Sequence, residues 1–284
     1  MTISITFIGA GRVAKTLGVL FQRNPALQIL DILSRSTESA QRTATFIGAG
    51  SVAETFEQLR PASIFVLAVP DDQIAGCCAK LQQAGKLHRG VTVFHCSGAL
   101  SSAELAAARA TGAAVASVHP IRSFADPAAV ADDFRGTWCG VEGDDAALAV
   151  LGPLFESFGA RMVPVQRDAK TLYHAAAVFA SNYVVTLMAV AQQAYIDAGI
   201  APDVALALLA PLTRESVENV IRLGPAAALT GPIARGDHAT VARQQQAVLE
   251  WDAGSGQLYA ALANATRRLA QTRDQSVLSK PAII

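Results

Sequence analysis

Residues 3–22 read ISITFIGAGRVAKTLGVLFQ. The first six residues are mostly β-branched or aromatic, as in a strand, and a turn with two glycines then leads into apolar residues at helical spacing. A strand that enters a helix through such a turn is typical of a doubly wound α/β fold, in which the amino end of the first helix faces a phosphate group. This stretch therefore predicts the fold of the amino-terminal half and a nucleotide site within it.

The turn carries a Gly-x-Gly-x-x-Ala fingerprint made of Gly9, Gly11 and Ala14, with Arg12 and Val13 inside it. Gly9 permits a tight turn, Gly11 lets the main chain approach a pyrophosphate, and Ala14 lets the helix pack close to the strand. A second strand ends about 20 residues further on, as the fingerprint requires. We predict a dinucleotide site; the alternative is a glycine turn that binds nothing.

The end of the second strand indicates which dinucleotide is bound. Dehydrogenases specific for NAD place an acidic residue there for the ribose hydroxyl, whereas this chain has Ser34, Arg35 and Ser36. A guanidinium beside two hydroxyls suits a 2′-phosphate, and Arg12 adds positive charge on the same side. Asp31 lies inside the strand, so it does not replace the missing acid. The sequence therefore favours NADP(H), with a solvated Arg35 as the alternative.

Short β-branched or apolar runs continue to about residue 165, with helical segments between several of them. The runs are QILDIL (28–33), SIFVLAV (63–69), VTVFHC (91–96), AVASVH (114–119), WCGVE (138–142) and RMVPV (161–165). One predicted helix follows a connection at residues 51–52. This alternation predicts a Rossmann domain over residues 1–167, built on a doubly wound parallel sheet.

After residue 168 the strand pattern stops. Residues 168–273 predict an all-helical domain for substrate binding and dimerisation, and residues 274–284 predict a loose tail. One long apolar helix is predicted over residues 169–198. Its polar residues and alanine content favour burial in a domain core or a subunit interface over a membrane span. We therefore expect a homodimer formed through this helix.

Composition excludes several classes of partner. Lys and Arg total 23, as do Asp and Glu, so the formal net charge is zero, and we expect neither nucleic acid nor a membrane as a partner. Cys77, Cys78, Cys96 and Cys139 lack the spacing of zinc ligands, which predicts reduced thiols and no metal site. The amino terminus shows no signal peptide, so a cytoplasmic protein is expected.

Five further motifs extend the fingerprint. They are VPDD (69–72), HCSGALSS (95–102), SVHPIRSF (117–124), YHAAAVFASNY (173–183) and LTGPIARGD (229–237). With the glycine turn, they resemble the superfamily of pyrroline-5-carboxylate reductase, 3-hydroxyisobutyrate and 6-phosphogluconate dehydrogenases, and prephenate dehydrogenase. More closely, the chain resembles bacterial Rossmann-like proteins with a helical domain of unknown function, whose amino-terminal part is similar to deazaflavin-dependent NADP oxidoreductases. The resemblance covers nearly the whole chain and implies a Rossmann fold with NADP(H).

Three of these motifs follow strands, at the edge where doubly wound sheets bind ligands. Val69 and Pro70 are expected to border the cofactor. The Ser97-Gly98 step resembles a substrate-contacting turn of the hydroxyacid dehydrogenases, although Ser97 also fits the entry residue of the next helix. His119 resembles the histidine of the His-Pro pair in prephenate dehydrogenases, and a structural hydrogen bond is its alternative role.

The helical half supplies the remaining candidates. Lys170 and His174 lie one helical turn apart, similar to the Lys-x-x-x-Asn of hydroxyacid dehydrogenases, in which the lysine is the acid/base. Asn182 lies to one side of this stripe and is a candidate substrate ligand. Arg235 lies in a segment similar to the substrate loop of pyrroline-5-carboxylate reductase, where a neighbouring subunit completes the site. There it would clamp a carboxylate, unless the segment only caps helices.

Taken together, the residues predict an NADP(H)-dependent oxidoreductase. It would transfer a hydride to or from a small, polar, carboxylate-bearing substrate in the cleft between domains, with a proton supplied by Lys170, His174 or His119. Two alternatives come from other classes. One is a non-catalytic NADP(H) sensor, which the histidine at position 174 keeps open, and the other is an adenosylmethionine-dependent methyltransferase, which the missing strand-end acid disfavours.

Overall fold

The structure is a computed structural model that describes the main chain of residues 2–278 and the side chains of residues 2–272. Contacts within the chain divide it into two compact units, residues 1–181 and residues 182–284. The first unit is an α/β sandwich and the second is helical.

An eight-stranded sheet forms the centre of the first unit, in the order β3-β2-β1-β4-β5-β6-β7-β8. The strands are β1 (Ile3–Ile8), β2 (Leu27–Leu33), β3 (Ser51–Ala53), β4 (Ile64–Leu67), β5 (Thr92–His95), β6 (Ala114–Pro120), β7 (Trp138–Gly143) and β8 (Arg161–Pro164). Every neighbouring pair is parallel except β6 and β7. The predicted Rossmann fold is confirmed, with one antiparallel step that the sequence analysis did not foresee.

Helices cover both faces of this sheet. The helices of the first unit are α1 (Arg12–Gln22), α2 (Thr37–Ile47), α3 (Ile74–Gln83), α4 (Ala106–Ala110), α5 (Pro127–Asp132), α6 (Asp145–Ser157) and α7 (Lys170–Ala180). One buried cluster joins α1, α2, α5 and α6 to the sheet, and a second joins α3 and α4 to its other face. Central strand residues alternate between the clusters, with Val66 in the first and Leu67 in the second. Burial on both faces explains the uninterrupted apolar run of β4.

Two local predictions for the first unit were wrong. Residues 51–53 form the edge strand β3, which pairs with β2 through Asp31 and Ser51, and no helix follows it before β4 among the described residues. The long helix predicted over residues 169–198 is interrupted at Ser181, where φ is −126° and ψ is −73°. α7 therefore ends before the break, and α8 begins after it.

The division between the units lies at residues 181 and 182, further along the chain than the predicted boundary at 167 and 168. The reason is the start of α7. Lys170 is only 1% exposed, and its ammonium group donates hydrogen bonds to Ser97 and Ser117 at the ends of two strands. These contacts bind α7 to the sheet.

The second unit is helical throughout its described residues. Its helices are α8 (Asn182–Asp197), α9 (Pro202–Leu223), α10 (Pro225–Ala228), α11 (Gly231–Ala234), α12 (His238–Trp251) and α13 (Ala253–Leu278). Trp251 Nε1 donates to Asp197 Oδ2 at 2.8 Å and thereby links α12 to the end of α8. α13 continues to Leu278, into the segment predicted as a tail, while residues 279–284 of that tail lie outside the described residues.

The segment Arg167–Asp197 is long and apolar enough to cross a membrane by length and composition alone, with a mean hydropathy of 1.5. None of its most apolar stretch is buried within the chain, and α8 contains no buried residue. Burial in a domain core, one of the two environments predicted for it, is therefore not what the structure shows. Burial in a subunit interface stays a prediction.

Candidate active site

The glycine turn after β1 is packed against the end of β4 and open at the start of α1. Gly9 has φ +114°, and a Cβ atom there would lie 2.2 Å from the carbonyl oxygen of Ala68, so only glycine fits. Gly11 is the N-cap of α1, and a Cβ atom there would meet no protein atom within 4 Å. Ala14 is fully buried. The free N–H groups of the first turn of α1 therefore face open space, which fits a pyrophosphate.

The end of β2 presents the predicted basic segment. Arg35 is exposed, and Ser36 is the N-cap of α2, where its Oγ accepts a hydrogen bond from the Ser39 N–H at 3.2 Å. Asp31 is 4% exposed and is fully occupied by Arg60, whose main-chain N–H and guanidinium both bind the carboxylate at 2.7 Å. Asp31 is thus a structural residue, as its position inside the strand implied. Arg12 is exposed in the first turn of α1.

The end of β4 adjoins the glycine turn. Val69 Cγ1 would lie 3.2 Å from a Cβ at Gly9, and the exposed Pro70 leads into a 3-10 turn that begins with Asp71. Asp71 Oδ2 accepts a hydrogen bond from Ser97 Oγ at 2.9 Å. This bond connects the loop after β4 to the loop after β5.

Every polar atom of Ser97 is used inside the protein. Its hydroxyl donates to Asp71 and accepts from the N–H groups of Ala99 and Leu100 at 3.2 and 2.9 Å. Its own N–H donates to His95 Nδ1, and its carbonyl accepts from Lys170 and from Ser117 Oγ. This pattern is that of a turn-forming residue, and it leaves no free hydroxyl for a substrate. The next helical segment begins at Ser102 with Ser101 as its N-cap, so Ser97 is not the entry residue of a helix either.

Lys170 lies beneath this turn. Its Nζ donates to the Ser97 carbonyl at 2.8 Å and to Ser117 Oγ at 2.7 Å. Burial lowers the pKa of Lys170 to about 8, although the carboxylates of Glu142 and Asp71 and the Cys96 thiol oppose the shift. The group is poised to titrate near neutral pH, but at 1% exposure it does not face open space.

Two histidines flank Gly98. A Cβ at Gly98 would lie 2.3 Å from His174 Nδ1 and 2.9 Å from His119 Nε2, so these two nitrogens converge on one point beside the turn. Their rings meet edge to face with centroids 5.4 Å apart. His174 Nδ1 is buried and has no hydrogen-bond partner among the described residues, while both rings remain half-buried overall.

His119 is held neutral. Burial, aided by the electrostatic influence of the neighbouring Lys170 and His174, lowers its pKa to about 4. Its Nδ1 lies 2.9 Å from Tyr173 Oη, and the two rings meet edge to face at 5.6 Å. Tyr173 was not identified from the sequence. The available signal was its position three residues after Lys170 and next to His174, on the same side of α7.

A second buried layer supports these groups. His95 is fully buried, and its Nε2 lies 3.0 Å from the Ser101 carbonyl. Because its Nδ1 accepts from the Ser97 N–H, His95 is a neutral imidazole with its proton on Nε2. Burial lowers its pKa, so it stays neutral. Glu142 on β7 accepts hydrogen bonds from the main chain and hydroxyl of Ser102, which fixes the start of the next helical segment.

The structure thus brings Ser97, Gly98, His119, Lys170 and His174 together in the first unit. Asn182 and Arg235, the other predicted substrate ligands, belong to the second unit. Asn182 begins α8, and its carbonyl accepts a hydrogen bond from Thr186 Oγ1, while Arg235 follows α11 in the glycine-rich connection to α12.

Comparison with family models assigns the two parts of the chain. Residues 1–120 match the Rossmann-like domain, and residues 137–266 match a family described as Domain of unknown function (DUF2520). The chain combines a Rossmann-like domain with a DUF2520 domain. Since the second match begins at residue 137, the DUF2520 segment includes β7 and β8 and contributes the edge of the sheet as well as the helices. A comparison with curated proteins gives no match.

Solved structures share the architecture over nearly the full chain. A Bacteroides fragilis protein described as an NADP oxidoreductase is 22% identical with a TM-score of 0.76, covering 94% of this chain and 98% of its own. A Thermotoga maritima protein is 27% identical with a TM-score of 0.71, covering 95% and 99%. Pyrroline carboxylate reductase from Plasmodium falciparum, solved with NADP bound, is 13% identical with a TM-score of 0.58, covering 94% and 98%. These similarities confirm the predicted fold.

Proposed function

We propose that the protein is an NADP(H)-dependent oxidoreductase that transfers a hydride to or from a small, polar, carboxylate-bearing substrate. The observation that carries this proposal is the clustering of polar groups toward the carboxyl ends of β4, β5 and β6, at the same edge of the sheet as the glycine turn after β1. Ligands of doubly wound sheets bind outside this edge. A structural neighbour described as an NADP oxidoreductase and another described as a pyrroline carboxylate reductase with NADP bound support the same class of reaction.

The cofactor would be held by the residues already described. Gly9, Gly11, Arg12, Val13 and Ala14 would receive the pyrophosphate at the start of α1. The 2′-phosphate would be bound by Ser34, Arg35 and Ser36, and Val69 with Pro70 would border the other end of the cofactor. When bound, the nicotinamide supplies or accepts the hydride.

The chain itself must provide the proton that accompanies hydride transfer to a C=O or C=N bond. We assign the proton transfer to His174 and a hydrogen bond to the substrate heteroatom to His119, because their nitrogens converge beside Gly98 and their rings are half-buried. Lys170 was predicted as the acid/base. Its burial and its two hydrogen bonds instead favour a positioning role, in which it holds the Ser97 turn and keeps His119 neutral.

Substrate and subunit contacts from the second unit complete the proposal. Arg235 would clamp the substrate carboxylate and Asn182 would contact its polar groups. The apolar helical segment would form a twofold dimer, since Leu172 and Val185 are 76% and 68% exposed within one chain. Such an enzyme would work in the cytoplasm.

A non-catalytic NADP(H) sensor is the second candidate. It is favoured by the complete use of the Ser97 hydroxyl and the burial of Lys170, since both would then serve only to hold the fold. The two candidates predict the same cofactor binding and differ in turnover.

Oxidation of NADPH by purified protein with a panel of 2-keto acids and carboxylate-bearing cyclic imines separates the two functions. An enzyme oxidises NADPH with at least one compound, and His119→Gln lowers that rate roughly 10²-fold or more while the Kd for NADPH stays unchanged. His88→Gln, at an exposed histidine, is the matched control and retains activity. If the wild-type protein binds NADPH tightly but oxidises it with no compound of the panel, the sensor is favoured.

A further inference from the structure

Tyr173 makes a hydrogen bond that bears directly on the chemistry of His119. Its phenol oxygen lies 2.9 Å from His119 Nδ1. Burial raises the pKa of Tyr173 to about 12, so the phenol keeps its proton at neutral pH. Burial also lowers the pKa of His119 to about 4, so only one of its ring nitrogens carries a proton.

The direction of this hydrogen bond follows from the surroundings of the phenol. The main chain of Gly140 lies near the Tyr173 oxygen and acts against the effect of burial on the pKa of the phenol. A Cβ at Gly140 would lie 2.2 Å from Tyr173 Oη, so the phenol is seated against this glycine. The described part of the chain offers the phenol proton no other hydrogen-bond acceptor, so the hydroxyl donates it to His119 Nδ1 rather than leave it unpaired.

The consequence lies on the opposite side of the imidazole. A neutral imidazole that accepts at Nδ1 carries its proton on Nε2. His119 Nε2 faces Gly98 and makes no hydrogen bond with the described part of the chain. The group that His119 presents beside Gly98 is therefore an N–H donor, fixed by the hydrogen bond that Tyr173 makes to the other ring nitrogen.

We propose that Tyr173 is a positioning residue that locks His119 in the Nε2–H tautomer, so that the site recognises a hydrogen-bond acceptor on its substrate. A carbonyl oxygen or an unprotonated imine nitrogen fits this donor, whereas a protonated iminium offers it no lone pair. Only the link to substrate rests on the proposed oxidoreductase function. The tautomer is a property of the protein alone.

The tautomer is tested by ¹⁵N NMR of the histidine rings in the full chain without cofactor, with His119→Gln to assign the signals. We expect the Nδ1 resonance of His119 to be that of an unprotonated acceptor and Nε2 to carry the proton between pH 6 and 8, about two or more units above the pKa of His119. A proton on Nδ1 in the wild-type protein overturns the proposal without any variant.

Two variants test the role of Tyr173. Tyr173→Phe removes the hydroxyl that donates to His119. Gly140→Ala retains this hydroxyl but pushes it away from its present position. In both variants the Nδ1 resonance of His119 should shift toward that of a nitrogen without a hydrogen bond, and the other tautomer should become populated. Tyr259→Phe, which loses a hydroxyl bonded to Gln244, and Gly76→Ala, where a Cβ meets nothing within 4 Å, are the controls and leave the resonance unchanged. An unchanged Nδ1 resonance in folded Tyr173→Phe overturns the lock. Absence of any turnover would count against the proposed function and leave this result standing.

Discussion

Lys170 Nζ lies 2.8 Å from the main-chain oxygen of Ser97, a residue 73 positions earlier in the chain. This bond and its companion to Ser117 Oγ hold the first helix after the sheet against the ends of β5 and β6. The ammonium group is buried, and its pKa falls from 10.5 to about 8 on folding. The position of the Gly98 turn thus depends on a group that the fold itself makes easier to deprotonate.

The first prediction follows from this shift. Between pH 8 and 10.5 the unfolded chain binds a proton at Lys170 that the folded chain has released, so the free energy of unfolding rises with pH across this window. Below pH 8 the ammonium group is charged in the folded chain, and the full cost of burying this charge lowers the free energy of unfolding. Lys170→Met has no ammonium group and therefore does not carry this cost. The stability of the wild type relative to this variant should therefore increase from pH 8 to 10.5 in urea unfolding.

Lys80→Met, at an exposed lysine, provides the control and should show no such slope. A stability difference between wild type and Lys170→Met that is flat across the window would mean that Lys170 titrates as it does in the unfolded chain.

The second prediction concerns the choice of cofactor. Arg35→Ala should weaken NADPH binding by about 1.5–3 kcal/mol, the size of a hydrogen bond to a charged group, and leave NADH binding nearly unchanged. Arg42→Ala, in the helix α2 that follows Arg35, removes an arginine that is paired with Glu38 and should change neither affinity. Calorimetric titration measures both. Equal losses for the two cofactors would remove Arg35 from the phosphate site.

The third prediction separates the two glycines of the turn. Gly9→Ala places a Cβ 2.2 Å from the Ala68 carbonyl at φ +114°, so it should destabilise the fold by roughly 1–3 kcal/mol as well as abolish cofactor binding. The Cβ atom that Gly11→Ala adds meets no protein atom within 4 Å, so this variant should keep wild-type stability. It should lose cofactor binding, because the methyl group fills the space expected for the pyrophosphate. Normal NADPH affinity in Gly11→Ala would place the cofactor elsewhere.

The fourth prediction tests the histidine pair. Gly98→Ala would push a methyl group to 2.3 Å from His174 Nδ1 and 2.9 Å from His119, so both rings must move. Turnover should fall roughly 10²-fold with NADPH affinity preserved, since a small displacement of catalytic groups has effects of this order. A folded Gly98→Ala with full activity would exclude the pair from the reaction.

Local patterns in the sequence predict most of the sheet but not its exceptions. The apolar run at β4 is typical of a buried central strand, and the order of strand, glycine turn and helix around Gly9 and Gly11 is typical of a Rossmann domain. β3 was not predicted as a strand, because its three residues, Ser51–Ala53, are too few to distinguish a strand from a connection. The antiparallel direction of β7 depends on how the chain returns from β6, which no local pattern records.

The candidate site also has features that the sequence predicts and features that it does not. His119 is the penultimate residue of β6 and the Ser97 turn follows β5, so their placement at the ligand-binding edge follows from topology. The burial of Lys170 and the contact between Tyr173 and His119 depend on how α7 packs on the sheet, through residues more than 50 positions apart. An aromatic residue on an apolar helix looks like core, and only the structure shows that its hydroxyl is used.

The fifth prediction concerns assembly. Light scattering at micromolar concentration should give the mass of a dimer, and Val185→Glu should give a monomer, because a charge at this 68% exposed position of α8 would have to be buried in the interface. Val150→Glu, at a 39% exposed position of α6, is the control and should stay dimeric. A monomeric wild type would contradict the proposed interface.

The central claim is that a bound dinucleotide reaches from the glycine turn to the histidines beside Gly98. The most direct measurement follows the His119 ring resonances during titration with NADP⁺ and, separately, with adenosine 2′,5′-bisphosphate, which carries only the adenosine end of the cofactor. Both ligands should bind, and NADP⁺ alone should shift the His119 signals. Saturation with NADP⁺ that leaves the His119 resonances where adenosine 2′,5′-bisphosphate leaves them would contradict the account.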